Sequence, residues 1–160
     1  MRRSDREITD FDAVIEVMSR CTVCHVAFGG GEYPYVVPMN FGMSVEGRDV
    51  TLYFHGAAEG KKHDLIKSCG RAAFSMAVVG DVVLGPPGDP CSSSICYESV
   101  TGTGDIDYVP ESGKLAALDR IMHQCDRSGS GAYSYRSGPL EATAVLRLRV
   151  NSLSGKRRKG

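Results

Sequence analysis

From Thr22 onward the apolar residues recur at every second position, and glycine-bearing turns interrupt them at short intervals. A period of two places successive side chains on opposite faces, so each stretch is a strand with one face turned inward. Val23–Phe28, Pro34–Phe41 and Val50–Phe54 are the first three. Gly29-Gly30-Gly31-Glu32 and Glu46-Gly47-Arg48-Asp49 join them as an antiparallel meander. Ala72–Val79, Ile95–Tyr108 and Ala142–Val150 follow, with Gly102 and Gly104 marking a bulge or bend and Arg147 and Arg149 facing outward.

Helical spacing is confined to three places. Thr9 or Asp10 caps a helix whose Phe11, Val14, Ile15 and Met18 share one face and which ends near Ser19-Arg20. Glu59–Ser68 is the second, with Gly70 as a stop. Pro110–Cys125 is the third, with Leu115, Leu118, Ile121 and Met122 on one face. Six strands with three short helices, no repeat and no linker predict one mostly antiparallel α+β domain over 1–160, a barrel or sandwich. Strands do not alternate with helices, which disfavours a doubly wound sheet. Gly80–Ser94, with three prolines and three glycines, reads as a long surface loop. Residues 151–160 read as a basic tail.

Charge narrows the function. Lys+Arg and Asp+Glu both total 19, against an electrostatic nucleic-acid or membrane binder. Lys156-Arg157-Arg158-Lys159 is the local exception and reads as a solvated end. No stretch reaches the ~18 apolar residues of a membrane span. The charged start predicts no signal peptide and a cytoplasmic chain, where six cysteines stay reduced.

Several motifs carry possible chemistry. Cys21-Thr22-Val23-Cys24-His25 matches the covalent haem pattern, but on a strand the two thiols point to opposite faces. Packed thiols are the preferred reading. The remaining cysteines and histidines lack ligand spacing, so no metal is expected. The stretch from Pro34 to Lys62 is more coherent. Gly56-Ala57-Ala58 leaves backbone that a ligand can approach, and a helix start with Lys61 and Lys62 suits a phosphate as well as it suits plain solvated lysines. His55 ends an apolar strand at a rim, either as a structural ring or as a proton donor; a free imidazole titrates near ~6.5. Asn40 either caps a strand end or pairs with the edge of a heterocycle.

VPMNF at Val37–Phe41, LYFHGAAEGKK at Leu52–Lys62 and YESVTGTG at Tyr97–Gly104 occur in that order, between an opening RRSDREITD and a closing LRVNSLSGKRR. Together they resemble the nitroimidazole-resistance branch of the pyridoxamine 5′-phosphate oxidase-like flavoproteins. The resemblance implies a six-stranded antiparallel split β-barrel that works as a homodimer, with FMN at the subunit interface. It places Val37, Pro38, Met39 and Asn40 along the isoalloxazine, and Phe54 and His55 beside the ring. Gly60, Lys61 and Lys62 fall where the oxidases carry a Ser-Arg-Lys phosphate cluster, with Gly60 replacing the serine. Ser99 and Val100 match the strand that approaches the flavin. Arginines that hold a vitamin B6 substrate are not recognisable.

The expected function is an FMN-dependent oxidoreductase passing electrons to small aromatic acceptors such as 5-nitroimidazoles, with His55 as proton donor. A protein electron donor is admitted, because no pyridine-nucleotide site is evident. The alternatives are a cofactor-binding module or sensor without turnover, and an oxidase-like enzyme on an unknown substrate.

Overall fold

The structure, a computed structural model, describes residues 3–126, 128 and 131–158. Strand β1 is Glu7–Ile8, and helix α1 spans Phe11–Arg20. Asp10 caps α1 by accepting from the Asp12 amide, as a short acidic side chain before an amphipathic run should. Then come β2 (Cys24–Phe28), β3 (Tyr35–Met39), β4 (Phe41–Glu46) and β5 (Asp49–Ala57). Helix α2 (Lys61–Cys69) ends at Gly70, whose φ of 63° supplies the left-handed cap. Strands β6 (Arg71–Val83) and β7 (Ser94–Tyr108), helices α3 (Lys114–Cys125) and α4 (Ser137–Ala142), and β8 (Thr143–Arg158) complete the chain.

The strands form one antiparallel sheet in the order β3-β2-β6-β7-β8-β5-β4, with β1 on a separate stretch of β8. The sheet curls into a split-barrel-like form but does not close. Its concave side holds the main core, in which Val17 and Met18 of α1 meet Phe28, Phe41, Leu52, Phe54, Val100 and Leu148. A smaller core lies on the other face, where Ala117, Leu118 and Ile121 of α3 cover Val145 of β8. Gln124 near the end of α3 donates to the carbonyls of Met18, Ser19 and Cys21, tying the two helices together.

The mostly antiparallel architecture agrees with the expectation, with eight strands where six were predicted. One addition is the short β1. The other arises at Asn40, where the predicted strand Pro34–Phe41 divides: β3 pairs with β2, and β4 pairs with β5. Asn40 donates its side-chain amide to the Thr22 carbonyl at this change of partner. The Gly80–Ser94 loop is shorter than predicted, because β6 continues to Val83 opposite Ser94. The basic tail is largely strand, since β8 runs to Arg158 alongside Tyr97; Lys159 lies outside the described residues. Leu115 and Met122 are exposed, and Ala117 takes their place on the buried face of α3 with Leu118 and Ile121. The bulge falls where expected, between Thr103 and Gly104 against β8. Among the described residues no helix is long and apolar enough to cross a membrane.

Candidate functional site

Helix α2 begins without a side-chain cap. Gly60 holds the N-cap position at φ 116°, a conformation that favours glycine, and the space a side chain would take there is open. The first-turn amides therefore face a place that a ligand can reach, with the positive end of the helix dipole behind them. Lys61 is exposed, its ammonium 5.3 Å from the ring centre of Tyr35 at the start of β3. Lys62 is half-buried and folds back over Gly56, donating to the Ala57 carbonyl at 3.2 Å. The uncapped amides, two ammonium groups and open approach fit a phosphate group.

His63, the next residue, is buried at 3% exposure; in the sequence it counts only among the histidines that lack metal-ligand spacing. Its Nε2 lies 2.8 Å from the Ala57 carbonyl and its Nδ1 2.7 Å from the Tyr108 hydroxyl. Tyr108 stacks on the imidazole, with the rings 12° from parallel. Burial, and then the Asp64 carboxylate, push the Tyr108 phenol up, so it stays protonated.

His55 lies elsewhere on β5. It is exposed on the outer face and lines a pocket of about 190 Å³ with Leu118, Ile121, Tyr135, Arg136 and Leu140. Tyr135 closes one side and donates to Asp119 at 2.8 Å. Burial and that carboxylate raise its phenol to about 12, making it a structural donor.

The remaining predicted residues divide by face. Val37 is half-buried, while Pro38 and Asn40 are exposed at the edge that carries β3. Met39, Phe54 and Val100 point into the core at 8%, 0% and 0% exposure, so only their backbones can meet a ligand. Ser99 is half-buried on the outer face of β7, opposite Ala77 and Lys156. It stands nine residues before Tyr108, about 30 Å along the strand at ~3.3 Å per residue. Lys61, Lys62 and Tyr35 are thus brought together, and Ser99 is remote from them within one chain.

One region has no counterpart in the sequence reading. Val36, Ala27, Ala73, Thr103 and Ser152 stand side by side across β3, β2, β6, β7 and β8. Pro38, His25, Ser75, Thr101 and Ser154 form the adjacent row. All ten are exposed or half-buried, and none is Asp, Glu, Lys or Arg. Alternation shows each member singly, but the rows appear only when the registers of five strands are known.

At the far end of β7, Glu98 pairs with both Arg20 and Arg157. Cys21 and Cys24 are buried; burial raises both thiols, Cys24 to about 12, which makes them poor nucleophiles.

No curated protein sequence matches the chain. A candidate 5-nitroimidazole antibiotic resistance protein from Bacteroides thetaiotaomicron is 26% identical, with 94% of this chain and 86% of that one covered at a TM-score of 0.79. A flavin adenine dinucleotide and haem binding protein from Mycobacterium smegmatis (21% identity, 97% and 74% coverage, TM-score 0.80) shares the fold. So does a flavocytochrome from Azotobacter vinelandii (21% identity, 100% and 72% coverage, TM-score 0.78). The pyridoxamine 5′-phosphate oxidase family profile matches residues 10–157. A match over nearly the whole length, together with the same curled sheet in these solved structures, identifies the chain as a member of the pyridoxamine 5′-phosphate oxidase family.

Proposed function

We propose that the protein is an FMN-dependent oxidoreductase that reduces small nitroaromatic acceptors such as 5-nitroimidazoles, working as a homodimer in the cytoplasm. The observation that carries the reading is the uncapped start of α2, where Gly60, Lys61 and Lys62 offer amides and two cations to a phosphate. Flavin binding by two proteins of the same fold supports a flavin, and the likeness to a candidate nitroimidazole resistance protein supports the acceptor.

In this reading Gly60, Lys61 and Lys62 hold the phosphate, and the backbone of Val37–Asn40 and the Asn40 amide meet the polar edge of the ring. FMN, when bound, supplies the electrons that reach the acceptor. The chain's own contribution is orientation, exclusion of water and a proton. His55 presents its imidazole to a largely apolar pocket, where it donates a proton to the reduced nitrogen or oxygen. The two uncharged rows across β3, β2, β6, β7 and β8 suit a second copy, because charge normally protects an exposed sheet surface from association. A second copy also supplies the Ser99 strand, which one chain keeps far from its own Lys61.

The test is an absorbance spectrum of the purified protein, followed by mass identification of the released chromophore and anaerobic reoxidation by a nitroimidazole. Flavin bands with release of FMN and nitro-dependent reoxidation are expected. A colourless protein that takes up no FMN on titration refutes the cofactor. Bound flavin that is reoxidised no faster with the nitro compound than with buffer leaves a binding module.

A further inference from the structure

We infer that His63 and Tyr108 are positioning residues for the phosphate end of the site, holding Lys62 and the first turn of α2 through the Ala57 carbonyl. The inference rests on the phosphate reading above and deepens it.

The hydrogen bonds impose a direction. A carbonyl oxygen only accepts, so His63 Nε2 carries the hydrogen it gives to Ala57. In the neutral ring Nδ1 is then an acceptor, and the Tyr108 hydroxyl donates to it. The chain of donors runs from Tyr108 through His63 to Ala57, which also accepts from Lys62 Nζ. Three elements meet at this point: the last residue of β7, the first turn of α2 and the last residue of β5.

Burial makes the arrangement costly to lose. A nearly buried imidazole with one nitrogen unpaired forfeits the desolvation of that group, so both partners hold the ring in one orientation. The consequence falls on Lys62. An ammonium has three hydrogens; Ala57 takes one and leaves two for a ligand. Lys62 therefore needs no large rearrangement to reach a phosphate, unlike a lysine free in solvent, whose many rotamers must be given up on binding. Lys61, exposed above Tyr35, has no comparable anchor on the backbone.

The test separates the phosphate from the ring of the ligand. FMN and riboflavin share the isoalloxazine and the ribityl chain, and only FMN carries the phosphate. Both are titrated into flavin-free wild type, His63→Leu, His63→Gln and Tyr108→Phe, following flavin fluorescence, with thermal unfolding of each variant as a check on folding. In the wild type FMN binds more tightly than riboflavin. In His63→Leu the FMN-to-riboflavin affinity ratio falls about tenfold, the scale of one hydrogen bond that orients a charge, while riboflavin affinity stays unchanged. Tyr108→Phe, a milder change, gives a smaller fall in the same ratio. Glutamine can donate to Ala57 and accept from Tyr108, so His63→Gln recovers most of the ratio. An unchanged ratio in His63→Leu overturns the inference. So does an equal loss for both ligands, which marks a purely structural residue, or a glutamine variant no better than leucine. A wild type that binds neither flavin overturns the cofactor reading itself, and the inference with it.

Discussion

Substituting Gly42 by alanine tests how closely α3 is seated on the sheet. Gly42 lies in β4, where a Cβ would stand 2.7 Å from the Arg120 carbonyl oxygen and closer still to the Arg120–Ile121 peptide. Ordinary contact begins at 3.4 Å, so α3 must withdraw by about 1 Å to admit a methyl group. The obstacle is helix backbone, which cannot rotate aside as a side-chain tip can. Overpacking costs about 1–3 kcal/mol, and a backbone obstacle belongs at the upper end, about 3 kcal/mol. For a domain of this size each kcal/mol lowers Tm by roughly 2–4 °C, which gives a fall of about 6–12 °C. Thermal unfolding by circular dichroism, with a urea midpoint at constant m-value, measures it. Gly138→Ala is the control, since its Cβ would meet open space in the exposed helix α4. A Gly42→Ala protein within about 2 °C of wild type would refute the claimed close approach. A functional readout accompanies the thermal one. Leu118 and Ile121 wall the His55 pocket, so withdrawal of α3 also lowers turnover through that pocket.

Three further outcomes are expected. His55→Ala keeps FMN affinity and loses about a hundredfold in nitro-dependent reoxidation, the lower range for a general acid; stopped-flow absorbance that records a normal rate removes the proton role. For Glu98, burial raises the carboxyl, but hydrogen bonds and charge from Arg20 and Arg157 outweigh it and hold the group below its usual range. A depressed carboxyl stabilises the fold above its unfolded value, near ~4.3, and that contribution disappears as pH falls through the folded value. Glu98→Gln should thus be less stable at pH 7 and show a shallower acid limb in urea midpoints measured between pH 7 and 3; two parallel curves would count against the ion pair. Ser75→Lys or Thr101→Glu puts a charge in the uncharged rows and should convert a dimer to monomer by light scattering with loss of FMN, whereas an intact dimer would place the interface elsewhere.

Local signals were legible where local physics decides the structure. Asp10 capping α1, Gly70 stopping α2 and the bulge beside Gly104 each follow from one residue's hydrogen bonding or backbone freedom. The two lysines at a helix start were legible for the same reason. Asn40 shows the limit: Pro34–Phe41 is uniformly apolar around it, and the change of pairing partner is a tertiary fact with no mark in the alternation. The sequence weighs His63 only as a metal ligand without the right spacing; its buried role was not legible because it sits among polar neighbours on a short helix, and its partners lie in β5 and β7. The length of β8 was missed because polar and basic residues after Val150 read as a solvated tail, whereas pairing with β7 carries the strand through them to Arg158. Exposure of Leu115 and Met122 reflects the narrow contact of α3 with the sheet, where close approach at Gly42 selects a smaller stripe centred on Ala117 and Ile121.

The position of β8 has a consequence for how the chain matures. It joins β7 on one side to β5 on the other, and Thr51 pairs with Arg149, about a hundred positions later. Until those residues leave the ribosome, β5 and β7 each present an open edge, and the sheet exists as two halves. At roughly 5–20 residues per second that interval lasts several seconds, long enough for edge-to-edge pairing between nascent chains. Chaperone demand during synthesis should therefore track the delay before β8 emerges. Slowing translation between β5 and β8 should lower the yield of folded protein without altering the folded state.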